Sequence, residues 1–280
     1  MRTPRPLPAG LVGGPFPVAE ALELGIPADR LRARDLDAAI HGARMPRGAD
    51  LHTRCRALLM VCRPDAVVCG PTAAMLHGIP VPHRFGEASP LHVAVPPEAA
   101  AVRRAGVVGR RLRIPPTEVT VVRNVVVTRP SRTWCDLAAH LTVPELVAAA
   151  DAMVRAGTAD AQRLRAAVEA HPDFRRRRKL ETALELADAA SESPKESELR
   201  AIVVLAGLPR PEANVEIRDR DGRLVARVDL LFREYGEVLE YHGDHHRTDR
   251  QQWRRDRTRE AELESLGYHV MEVAEADLRR

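Results

Sequence analysis

Val228-Asp229-Leu230-Leu231-Phe232 and, a few residues later, Val238-Leu239-Glu240-Tyr241-His242 decide how this chain is read. Both are apolar, strand-like runs, and each carries a carboxylate inside it. An ionised carboxylate in an apolar strand is costly unless it is paired or binds a cation. Two of them on consecutive strands therefore mark a site. Oxygen ligands of this kind suit Mg²⁺ or Mn²⁺ better than zinc. Glu196 stands at the start of the helix that precedes these strands, in Ser193-Pro194-Lys195-Glu196-Ser197, and could complete the oxygen shell. His242 follows Glu240 by two residues and shares its strand face, which makes it a candidate general base, metal ligand or phosphate donor.

The surrounding elements read as αβββαβ. A helix spans Pro194 to Ala206 and stops at Gly207; Val215-Glu216-Ile217 begins a strand; Asp221-Gly222 is a hairpin turn. Leu224 to Phe232 and Val238 to His242 are the next strands. Arg250 to Leu266 is a helix capped by Gly267, Tyr268 to Val273 a further strand, and Ala276 begins a terminal helix. This order predicts a mixed sheet with helices on its faces. Arg247, Arg250, Arg254 and Arg257 surround Trp253, a spacing suited to phosphate contacts with stacking on a base; a solvated basic helix is the plain alternative. His245 and His246 either bind metal or lie exposed in a loop. Asp256 shares a helical stripe with Trp253 and Leu263, which favours a structural salt bridge over a metal role. Asp229 has its own plain alternative, an ion pair with Arg227.

A chain of 280 residues suits two or three domains. Composition shifts place them at 1–50, 51–190 and 191–280. In the first, Val18 to Leu24 is a helix ended by Gly25, Ala28 to Leu36 a second helix carrying Arg30, Arg32 and Arg34, and Ala39 to Pro46 a short hairpin. Helix, turn, helix and hairpin outline a small winged helix, with those arginines as candidate DNA contacts. The middle region is an α+β module: helices at Cys55–Val61 and Pro71–Gly78, a strand at Leu91–Pro96, a hairpin through Arg123-Asn124, then helices from Arg132. Asp136 and His140, four apart, read as a structural pair before a metal pair. Arg175 to Lys179 is a charge run that either touches phosphate or lies solvated.

The net charge of +4 is mild, so local charge matters more than the sum. Cys55, Cys62, Cys69 and Cys135 form no CxxC pair and read as thiols of a reducing compartment. With no signal-like run after Met1 and no membrane-length apolar stretch, the cytoplasm is the expected location.

The order Glu196, Asp229, Glu240-Tyr241-His242 resembles the PD-(D/E)XK restriction-endonuclease-like superfamily. Ala226-Arg227-Val228-Asp229-Leu230, Glu240-Tyr241-His242-Gly243-Asp244-His245-His246 and Leu266-Gly267-Tyr268-His269-Val270 look like a bacterial domain related to the very-short-patch mismatch repair endonuclease. The superfamily's motif lysine would fall at His242. Upstream, Val18-Ala19-Glu20-Ala21-Leu22 with Arg44, Thr72 to Gly78 and Arg132 to Ala138 look like an AbiEi-type antitoxin-like region. The expected fold is thus α/β, or α+β overall: a restriction-endonuclease-like sheet preceded by the winged-helix-like domain and the middle module. The resemblance implies a metal-dependent DNA endonuclease. Glu196, Asp229 and Glu240 would hold Mg²⁺ or Mn²⁺, His242 would assist, and the arginines would hold DNA. RNA stays open as substrate. The alternative is a non-catalytic, DNA-binding regulator of antitoxin type, with a homodimer and a toxin partner as further expectations.

Overall fold

The computed structural model describes residues 4–86, 88–242 and 250–279; for 250–257 and 279 it describes the backbone alone. The protein is a mixed α+β structure of two compact units, Met1–Leu137 and Ala138–Arg280.

The first unit begins with strand β1 (Phe16–Pro17), helix α1 (Val18–Glu23) and the strands β2 (Leu36–Asp37) and β3 (Ala43–Pro46). The strands form a three-stranded sheet in the order β1-β3-β2, with α1 between the first two in sequence. The β2–β3 hairpin expected near Pro46 is present, with β3 in the middle of the sheet. The second helix expected over 28–36 is a correction. Only a 3-10 turn forms, Arg30–Arg32, capped by Asp29. The chain is instead drawn out by a paired contact of Arg30 with Asp35 (3.0 and 2.7 Å) and by β2 pairing with β3.

Helix α2 (Leu51–Met60) follows, opened by the Asp50 carboxylate accepting from the Thr53 amide at 2.8 Å. Then come β4 (Val67–Val68), α3 (Gly70–Leu76), β5 (Leu91–Val95), β6 (Arg103–Arg104), β7 (Val107–Arg111), β8 (Val119–Val122), β9 (Val125–Thr128) and α4 (Pro130–Leu137). The strands make a six-stranded mixed sheet, β6-β7-β5-β4-β9-β8. The β8–β9 hairpin turns where expected, with Arg123 and Asn124 at φ of 44° and 64°, the paired left-handed conformation of a tight hairpin. Ile40, Ala43 and Met45 pack in one cluster with Leu58, Val68, Leu91, Val93 and Val127, while Phe16, Ala21 and Leu31 form a smaller core of their own.

The second unit starts with α5 (Val143–Arg155), α6 (Ala161–Glu169) and α7 (Phe174–Leu186). A reciprocal cap of Thr142 and Glu145 opens α5. The Arg175–Lys179 run lies on α7 and is partly structural. Arg177 donates to the carbonyl of His171, and the ammonium of Lys179 donates to those of Ala138 and Leu141. Helix α8 (Pro194–Leu205), strands β10 (Glu212–Arg218), β11 (Leu224–Phe232) and β12 (Glu237–His242), helix α9 (Arg250–Ser265) and strand β13 (His269–Ala274) complete the unit. The sheet order is β10-β11-β12-β13, antiparallel except for the parallel β12–β13 pair, which the α9 crossover makes necessary. The αβββαβ reading thus holds, except that the terminal helix is a 3-10 turn, Asp277–Arg279. Leu199 and Val203 of α8 pack on one set of strand residues, and Leu263 of α9 on another.

Candidate functional site

The two carboxylates sit where the β11–β12 ladder opens. The register pairs Phe232 with Glu237, Leu231 with Val238 and Leu230 with Leu239, then ends; Asp229 and Glu240 are the next pair in line. There the Tyr241 amide donates to Asp229 Oδ2 at 2.8 Å. On the other side of β11, Asn214 stands at the position opposite Asp229, is missing from the register, and adopts φ of +52°. The facing of β11 changes at the same point. Ala226 and Val228 join the cluster with Leu263, whereas Leu230 and Phe232 join the cluster with Leu199. Strict alternation would have kept all four on one face. Asp229 therefore occupies the twist between two cores, which is why an acid fits inside so apolar a run.

Glu240 is buried, only 6% exposed. Its Oε2 accepts from Arg259 Nη2 at 2.6 Å, and its Oε1 has no hydrogen-bond partner among the described residues. Burial raises its pKa above the usual carboxylate value; Arg259 opposes that shift and the Asp229 charge adds to it. Asp229 is raised as well, by burial first and by the Glu196 charge, against the hydrogen bond from Tyr241. His242 Nε2 stands 4.0 Å from Glu240 Oε2 and 3.4 Å from Glu272 Oε1. Glu196 is buried too, but its Oε2 accepts from the Glu192 amide at 2.8 Å and from Asn214 Nδ2 at 2.9 Å. It thus ties the start of α8 to β10.

Asp229, Glu240 and His242 are brought together, with Glu196 close enough to act on Asp229. The oxygen-rich donor set is right for a hard cation. Even so, among the described residues no three His, Cys, Asp or Glu side chains form a group that could hold one. Glu240 already has a positive neighbour in Arg259, and Glu196 is engaged by two N–H donors. As arranged, a bound ion would require Arg259 to release Glu240 and Glu196 to give up its two N–H donors.

Arg227 is not the partner of Asp229: its guanidinium pairs with Glu192 at 2.7 Å. Arg259 and Glu272 are the site residues that the sequence reading did not single out. Glu272 is found only through the parallel register that sets it beside Glu240. Arg247, His245 and His246 lie outside the described residues, and so do the side chains of Arg250, Trp253, Arg254, Asp256 and Arg257, although their backbone is α9 as expected. Asp136 pairs with Arg132 at 3.0 Å, and α4 ends at Leu137, so His140 does not share its helix. Of the N-terminal arginines, Arg30 is buried, held by Asp35 and by the carbonyl of Arg5. It is removed from the candidate DNA contacts because its guanidinium faces inward. Arg32 and Arg34 are exposed.

The described residues are a mixed α+β protein, with a small three-stranded sheet ahead of a six-stranded one. Residues 66–201 match the family of the AbiEi antitoxin C-terminal domain. The chain belongs to one family with two proteins from strains of Mycobacterium tuberculosis, the uncharacterized proteins MT2308 and Rv2248. It is 30% identical to each over 236 residues, 82% of this chain and 82% of the relative. No solved structure matches it. No helix among the described residues is long and apolar enough to cross a membrane.

Proposed function

We propose that the protein is a DNA-binding regulator of antitoxin type that works in the cytoplasm. The observation that carries this is the antitoxin-domain match over residues 66–201. Arg32 and Arg34, exposed before the β2–β3 hairpin, are its proposed phosphate contacts. In this reading the C-terminal sheet is a folded platform for binding or self-association. A toxin partner belongs to the same reading.

A second reading has one observation in its favour. The buried Glu240 Oε1 without a partner, in line with Asp229, is the kind of orphaned oxygen that a cation would satisfy. A Mg²⁺- or Mn²⁺-dependent nuclease using Asp229, Glu240, Glu196 and His242 would need Arg259 to release Glu240.

Gel-shift and plasmid-cleavage assays on one preparation separate the two. The regulator binds duplex equally in EDTA and in magnesium and leaves supercoiled plasmid intact. Cleavage that requires Mg²⁺ or Mn²⁺ and disappears in Asp229→Ala and Glu240→Ala would replace this reading with the nuclease. Absence of salt-sensitive duplex binding would remove both.

A further inference from the structure

We propose that a groove in the first unit binds a small phosphorylated ligand of nucleotide size. The groove encloses about 650 Å³, within the range of small-molecule sites. It lies where the turn before β3, the end of α2 and strand β6 meet. Val61 and Val102 give it an apolar lining, and Arg103 and Arg104 bring positive charge.

Two features make it a site for an anion. Arg104 is fixed in place: Nη1 donates to the carbonyl of His41 at 2.6 Å and Nη2 to that of Val61 at 2.8 Å. Those acceptors are neutral, so its charge is undiminished while its freedom is already spent. Arg103 is exposed, and among the described residues neither arginine has a carboxylate partner. Arg63, also in the lining, differs, since Asp65 holds it. Arg103 is left to grip an oxyanion in forked geometry, while Arg104, whose two Nη groups already donate to carbonyls, adds a fixed positive charge beside it. The framework is rigid as well. A Cβ on Gly109 would fall 2.1 Å from the Val102 carbonyl oxygen, so β7 holds the Val102 backbone in direct contact.

A phosphate could come from a free nucleotide or from a DNA backbone. The apolar lining favours the free nucleotide, whose base it can cover, whereas a backbone presents only phosphate and sugar. This inference does not depend on the DNA-binding role.

Cys62 gives a direct assay. It lines the groove and is the one cysteine of the four that is not buried. Alkylation of Cys62 in the full chain, followed by mass spectrometry at mildly alkaline pH, reads occupancy without reading DNA binding. Titrations would use ATP, inorganic pyrophosphate, sulfate at matched ionic strength, and a short duplex. The expected result is saturable protection by ATP, not reproduced by sulfate. In Arg103→Glu that protection should shift to about tenfold or more higher ATP, the scale of one lost charge-assisted contact. Arg103 is exposed, so this variant should keep the wild-type fold and circular dichroism. Equal protection of the variant by ATP, or none of the wild type by ATP or pyrophosphate, would overturn the proposal. So would protection by duplex alone, which would assign the groove to DNA.

Discussion

Replacing Arg200 with methionine should cost the second unit about 3–5 kcal/mol at neutral pH, because it strands a buried charge. Arg200 of α8 and Asp151 of α5 are both fully buried and meet at 2.5 Å. Arg200 also donates to Ser191 Oγ at 3.3 Å and to the carbonyl of Leu186, and the other Asp151 oxygen accepts from the Asp188 amide at 2.7 Å. Methionine fills much of the volume, so the loss is electrostatic rather than a cavity. Burial raises the Asp151 pKa above its ordinary value even with Arg200 opposing the shift. An acid whose folded pKa is raised disfavours folding progressively as pH climbs from its unfolded value through its folded one. Without Arg200 that folded value rises further. The deficit of the variant should therefore shrink in acid, by up to about 1.4 kcal/mol for each pH unit below the new pKa. Hydrogen exchange of the α5 and α8 amides at pH 7.5 and pH 5 measures both quantities. Adding Asp151→Asn should recover a large part of the loss. A deficit under about 1 kcal/mol at pH 7.5, or one that grows towards acid, would refute the account, since a buried, unpaired carboxylate costs more than that and is relieved by protonation.

Gly109→Ala should lower stability by about 2–4 kcal/mol in a thermal melt, because the new methyl meets backbone at Val102, which cannot rotate away. Asp229→Asn keeps an acceptor for the Tyr241 amide and removes a half-buried charge whose pKa is raised. The variant should melt higher than wild type at pH 8, with the gap closing by pH 5; equal melts at both values would contradict the assigned burial cost. Arg30→Ala should destabilise the N-terminal sheet region through loss of the contacts with Asp35 and the Arg5 carbonyl, read as a lower melting temperature. Arg32→Ala should leave the melt unchanged and weaken duplex binding.

Much of the fold was legible where backbone chemistry is local. The αβββαβ order follows from Pro194 at a helix start, Asp221-Gly222 at a turn, and Gly207 and Gly267 at helix ends, the last two with φ of 87° and 90°. Arg123-Asn124 marked the β8–β9 turn for the same reason. Arg30 was misread because its partner Asp35 is supplied by a turn that the helical spacing hid. Lys179 looked like part of a solvated run, yet its ammonium reaches the carbonyls of Ala138 and Leu141, some forty residues earlier in the chain. At the acidic site, Asp229 and Glu240 stood out as acids in apolar strands. Arg259 and Glu272 did not, since they meet Glu240 and His242 only through the packing of α9 and the β12–β13 register.

The most direct test of the DNA-binding role is fluorescence anisotropy of a labelled duplex with the full chain in EDTA, over a range of potassium chloride. The logarithm of affinity should fall steeply and linearly with the logarithm of salt. In Arg32→Glu/Arg34→Glu that slope should become shallower by about two, one for each lost phosphate contact. A slope and affinity unchanged in the double variant would contradict the proposed contact of Arg32 and Arg34 with DNA.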